Sequence, residues 1–329
     1  MINYTNVIRL TPLLVCTSIF ASNPASAIDI SVKCQNKPVN TAILEKGHLY
    51  IVVDDKTVKN TTMLDKLQQG HIRFCTSKVT NMSGLFKNRK TFNSDITDWD
   101  TSNVRSMNEL FYRAQIFNQD IRYWDTSRVS NMRSMFQGAS AFNQYIGYWD
   151  TSNVMYMSHM FHSALAFDQH IGHWDVSKVI TMQNMFGNTN SFNQDITHWD
   201  TSNVVSMAYM FNDANAFDQP LTYWNTSKVT NMSFMFASTD RFNQTINRWD
   251  TSNVKNMSFM FWNAEQFNQD IKDWDVSNVA SMKQMFKYAS SFSQDLTHWD
   301  VNRVTQYDDF SSKSALTEQR QPRFNRPSL

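Results

Sequence analysis

The sequence predicts an α/β fold, a solenoid of nine strand–turn–helix units of 25 residues behind a small ββα cap. Three observations carry that expectation. Nine tryptophans stand 25 residues apart, from Trp99 and Trp124 through Trp199 to Trp299. Phe and Ile/Leu ladders keep the same register, with Phe92, Phe117 and Phe292 opening units and Ile96, Ile121 and Leu296 four residues on. Sixteen of the 19 methionines fall on two further ladders, such as Met132 with Met135 and Met257 with Met260. A stack of identical units is the arrangement that keeps such spacing, because each unit can bury its apolar side chains only against its neighbours.

The unit beginning at Phe242 is representative. From Val254 the apolar residues Met257, Met260, Phe261 and Ala264 follow at helical spacing, which reads as one helix face. Thr251 or Ser252 is placed to cap that helix. The preceding Asn-Gln-Thr-Ile246 run is too short for a helix and leads into an Asp/Thr/Ser/Asn turn, so it reads as a short strand. Strands paired at about 4.8 Å would give a parallel sheet roughly 40 Å long. The methionines read as core filling beside Phe and Val, not as an exposed soft groove.

At the start, an apolar stretch from Leu10 to Ala21 precedes Ala25-Ser26-Ala27. This reads as a cleavable signal peptide over residues 1–27, too short to span a membrane, so the mature chain is expected to be exported without a transmembrane segment. Leu14-Val15-Cys16 hints at a lipoprotein site, but Val15 stands where a small residue belongs. Cleavage leaves Cys34 and Cys75, which have one possible pairing in an oxidising compartment; the alternative is two unpaired buried thiols. Residues 28–71 read as the cap, with strands at 28–33 and 48–53 and a helix over Asp55–Gln69. The repeats run over 72–310, with a degenerate first unit in which Phe74 replaces Trp. Residues 311–329 are polar and read as a mobile tail.

Trp-Asp-Thr-Ser-Asn-Val-x-x-Met-x-x-Met-Phe and Phe-Asn-Gln-Asp-Ile closely resemble the repeats of BspA-like leucine-rich-repeat surface proteins of bacteria, a repeat also found in mycoplasmal surface lipoproteins of unknown function. Phe74-Cys75-Thr-Ser-Lys-Val79 looks like that family's usual first unit, cysteine included. The resemblance implies a right-handed leucine-rich-repeat-like solenoid on an exported or surface protein, with adhesion to protein or glycan partners on host, matrix or neighbouring cells. It implies no shared catalytic residues and no cofactor. A structural spacer of the envelope and a secreted virulence factor acting on host cells are the alternatives.

Function in such an array belongs where the copies differ. The residues before Ile and before Trp, expected to point outward from a strand, collect Tyr123, Tyr145, Tyr148, His170, His173, His198 and Tyr223 in the middle copies. Exposed tyrosines suit a binding surface; cross-strand stabilisation is the plainer alternative. Gly147 and Gly172 read as clearing space there. The three histidines lack a consistent fourth ligand, so no metal is expected. The Asp after each Trp reads as a helix cap, not a calcium ligand. No nucleophile elbow, phosphate loop or zinc-protease motif occurs, so a non-catalytic role is expected. A formal net charge of +1 argues against nucleic acid as a partner.

Overall fold

The computed structural model describes residues 30–324. The expected signal peptide with its cleavage point, and the last five residues, lie outside them.

The first strands among the described residues form a three-stranded sheet in chain order. Strands β1 (Ala42–Glu45) and β2 (His48–Asp54) form an antiparallel hairpin. Its two-residue turn holds Lys46 and Gly47 both at positive φ, the geometry that matches strand twist. A 3-10 turn at Thr57–Lys59 leads into helix α1 (Thr61–Gln68). The Asn60 side chain caps α1 by accepting from the Met63 amide, and Gly70 ends it at φ 76°. Strand β3 (Arg73–Lys78) then lies parallel to β2. The expected helix is thus shorter than Asp55–Gln69. The expected strand at 28–33 does not form over residues 30–33. That segment is laid across the first copy, with the Val32 amide on the Asp98 carbonyl at 2.9 Å and the Cys34 amide on Ser77 Oγ at 3.1 Å.

Cys34 and Cys75 are joined, Cα to Cα 6.2 Å. The disulfide ties that leading segment to β3, and therefore to the first copy of the repeat. Lys33 pairs with the buried Asp100 at 3.1 Å. Burial pushes the Asp100 carboxyl up, but Ser102, Ser77 and Lys33 outweigh it and hold it below the usual carboxylate range.

Beyond β3 the copies stack, each hydrogen-bonded to the next. Their parallel bridges run Asn81–Ser106–Asn131–Tyr156 and onward in steps of one copy to Gln306. The strand expected at Phe-Asn-Gln-Asp-Ile is therefore in the wrong place. There the copies are joined by side chains instead. The Asn118 amide donates to Asn93 Oδ1 at 2.9 Å and the Asn143 amide to Asn118 Oδ1 at 2.9 Å. A side-chain amide has replaced the backbone carbonyl of a sheet.

The expected helix is also absent; α1 is the only α-helix among the described residues. In its place is a run of tight turns. The Leu110 amide closes on Met107 O, the Ala114 amide on Phe111 O and the Phe117 amide on Ala114 O. Alternate amides point to the next copy: Met107 to Asn131 O, Glu109 to Arg133 O, Phe111 to Met135 O and Arg113 to Gln137 O, at 2.7–2.9 Å. Glu109 and Arg113 sit at φ 55°, the third position of a type II turn. Consecutive turns bring the same face inward every three or four residues, as a helix would, so apolar spacing alone could not separate the two.

The core is a set of columns. Phe111 lies 3.8 Å from Phe117 and 5.5 Å from Phe136, and neighbouring tryptophans stack at 6.2–6.5 Å. Each indole from Trp124 onward donates to an Ile or Leu carbonyl of the preceding copy, as Trp199 Nε1 does to Ile171 O at 3.2 Å. The Asp after each Trp does not cap a helix. It closes a local turn, Asp125 Oδ1 accepting from the Ser127 amide at 3.0 Å and Asn225 Oδ1 from Ser227 likewise.

The chain does not become a free tail at 311. Leu316 is buried, the Leu296 amide donates to Arg320 O and Phe324 stacks on Tyr307 at 4.5 Å. As far as residue 324 these residues close the end of the core, which an open stack would expose to water.

Candidate functional site: an outward Tyr and His column

Ile121 and Trp124 are buried, and the turn in which the Trp124 amide meets Ile121 O turns residue 123 outward. Repetition puts Tyr123, Tyr148, His173, His198 and Tyr223 on one outward column. Tyr148 is 62% and Tyr223 67% exposed, and His170, His173 and His198 are exposed as well.

The structure resolves the column into two ring groups. Tyr123 stacks on Tyr148 at 6.3 Å, and Tyr145 meets Tyr148 edge-on at 4.9 Å. His198 stacks on Tyr223 at 5.5 Å. His170 and His173 occupy the copy between and join neither group by a ring contact among the described residues. Tyr123 with Tyr148 and His198 with Tyr223 thus stack ring against ring between neighbouring copies.

Tyr145 is only half-buried because its ring lies over Gly147. A Cβ there would come within 2.5 Å of the Tyr145 hydroxyl. Burial, with Tyr148 nearby, raises the pKa of Tyr145. Gly172 serves packing instead, since a Cβ would meet the Asp195 carbonyl at 2.4 Å. Neither glycine opens a cavity for a ligand.

Arg122 lies between the two varying columns and carries no repeat signal of its own in the sequence. Its Nε sits 2.9 Å from the Asp120 carboxylate, which raises its pKa, with Tyr123 and Tyr148 close enough to add to the effect. A held cation beside two exposed phenols can receive an anionic or hydroxyl-rich group.

The first member of the column is structural. Asp98 is buried and accepts from Tyr50 Oη and from Arg73 Nη1, the latter at 3.0 Å. Burial and Asp98 push the Tyr50 hydroxyl up to about 12. The open face therefore starts at Tyr123. Among the described residues no group of three His, Cys, Asp or Glu is placed to hold a metal ion, and no helix is long and apolar enough to cross a membrane.

One family model matches, described as Mycoplasma protein of unknown function, DUF285, over residues 56–169, 143–244 and 217–323. No curated protein and no solved structure matches the chain. The three overlapping matches follow the tandem copies from α1 to the closing segment at the far end. The chain belongs to the DUF285 family of Mycoplasma proteins of unknown function.

Proposed function

We propose that this chain is an exported, non-catalytic binding module whose stacked copies form a right-handed leucine-rich-repeat-like solenoid related to the BspA-like surface proteins. Its partner is a protein or carbohydrate on host, matrix or neighbouring cells, met by the Tyr and His column. One observation carries this reading. Invariant Phe, Ile, Trp, Val and Met side chains are consumed by the core, whereas Tyr148 and Tyr223, in a column that varies, stand exposed. Amphipathic rings that lose little rotamer freedom are the side chains from which binding hot spots are built. Arg122 adds a fixed charge beside one ring group.

The test has two arms. Protease shaving of intact cells is expected to digest the chain. The purified mature protein is expected to bind saturably to at least one member of a panel of matrix proteins and glycans. Protection from the protease on intact cells, with no saturable binding across the panel, would leave an internal spacer as the better account.

A further inference from the structure

A second outward face, separate from the Tyr and His column, carries a different chemistry. It is formed by residues 103–108 and their counterparts in each copy to 283. Those positions contain seven Lys or Arg and no Asp or Glu, in a chain of formal net charge +1. Arg105 and Arg133 stand at one end, Lys255 and Lys283 at the other. Arg128, Lys178 and Lys228 line one border, each bonded to an Asn of the preceding copy, as Lys178 Nζ is to Asn153 Oδ1 at 2.8 Å.

Between the two cationic ends a small cluster of exposed apolar side chains stands among Ser, Thr and Asn. Met155, Ile180 and Val205 succeed one another in one backbone ladder, the Ile180 amide on Met155 O and the Val205 amide on Ile180 O. They and Tyr156 are 39–45% exposed. Alongside Val205 and in the next two copies toward Lys255, Ala208, Ser233 and Ser258 keep the surface low, and beyond them lie Tyr209, Phe234 and Phe259, stacked at 4.3–4.4 Å. These three aromatic residues are held at φ 57–60°. The same column holds Gly84, Glu109, Ser134, His159 and Asn184 in the copies before and Gln284 and Asp309 in those after, all at positive φ. The positive φ is that of the type II turn made in every copy, so what sets these three copies apart is the aromatic side chain and not the backbone.

We propose that this face docks an acidic, amphipathic protein segment, apolar at its centre and carboxylate-rich at both ends. Charge complementarity selects that occupant. A second copy does not fit, because a two-fold contact centred on Ile180 would set Arg105 against Lys255. A broad anionic surface such as a bilayer would also meet the acidic borders, Asp150, Asp175 and Asp200 on one side and Asp213 and Asp240 on the other. From Arg105 to Lys255 is six copies, about 29 Å at the spacing of paired strands, the length of a helix of about 20 residues.

The probe is a labelled 20-residue helical peptide with Leu and Ile along its central face and Glu at both ends, titrated against the mature chain by fluorescence anisotropy. Saturable binding is expected, weakened at least tenfold by Arg105→Glu with Lys255→Glu, and similarly by Ile180→Asp, each with an unchanged melting temperature. Ile180→Ser serves if the Asp variant does not fold. Tyr148→Ala with Tyr223→Ala is expected to leave this binding unchanged, which separates the proposal from the one above. No binding, equal binding of a peptide with Lys at its ends, or binding only to vesicles of phosphatidylcholine with phosphatidylglycerol would overturn it.

Discussion

Trp199→Ala is expected to cost about 4 kcal/mol, the range for emptying a large aromatic site in a packed core. Trp199 is buried, lies 6.5 Å from both Trp174 and Trp224 and donates to Ile171 O. Truncation removes two stacking contacts and leaves that carbonyl without its donor, at a further cost of about 1 kcal/mol. Because each copy touches only its neighbours, damage in the middle of the array also weakens the coupling between its halves. Urea unfolding should broaden or split into two steps. Trp299→Ala, stacked on one side only, should cost less. Equal losses at the two positions, or a loss under 1 kcal/mol at Trp199, would contradict the stacked core.

Replacing both cysteines, Cys34→Ser with Cys75→Ser, has an expected effect of similar size. The bridge closes 41 residues of sequence, for which loop-closure entropy gives about 4 kcal/mol. The loss should be local to the first copies, since the disulfide lies in the small cluster of Val32, Tyr50 and Val52 beside the array. Hydrogen exchange should show early opening of β1–β3 with protection retained around Trp199. Uniform loss of protection along the whole chain would contradict a locally acting staple.

Much of this architecture is legible in the sequence, and the exceptions have physical causes. The Trp, Phe and Met ladders fix the register and the core because burial demands the same side chain in every copy. They do not report backbone conformation. Val104, Met107, Leu110 and Phe111 face inward whether the chain is helical or a series of turns. The distinguishing signal was Gly84, Gly138, Asn88, Asn184 and Asn188, residues that tolerate positive φ. Aromatic Tyr209, Phe234 and Phe259 in the same conformation obscured it. The expected strand failed for a related reason: Asn118 and Asn143 supply by side chain the bond that a strand takes from its neighbour's backbone. The closing segment was missed because Leu316 and Phe324 are isolated apolar residues in polar surroundings, and only the end of a stack gives them something to cover. At the candidate site, outward orientation followed from the buried Ile and Trp on either side. Ring stacking depends on neighbouring copies and could not be read from one, whereas Arg122 is held within its own copy by Asp120.

We propose that invariant side chains build the array while the column that varies meets the partner. One variant carrying Tyr148→Ala and Tyr223→Ala, measured for both partner affinity and melting temperature, decides it. Removing two exposed hot-spot rings is predicted to weaken binding at least tenfold, on the order of 1.4 kcal/mol or more, with the melting temperature essentially unchanged. Unchanged affinity, or a fall in melting temperature large enough to account for the lost binding, would contradict it.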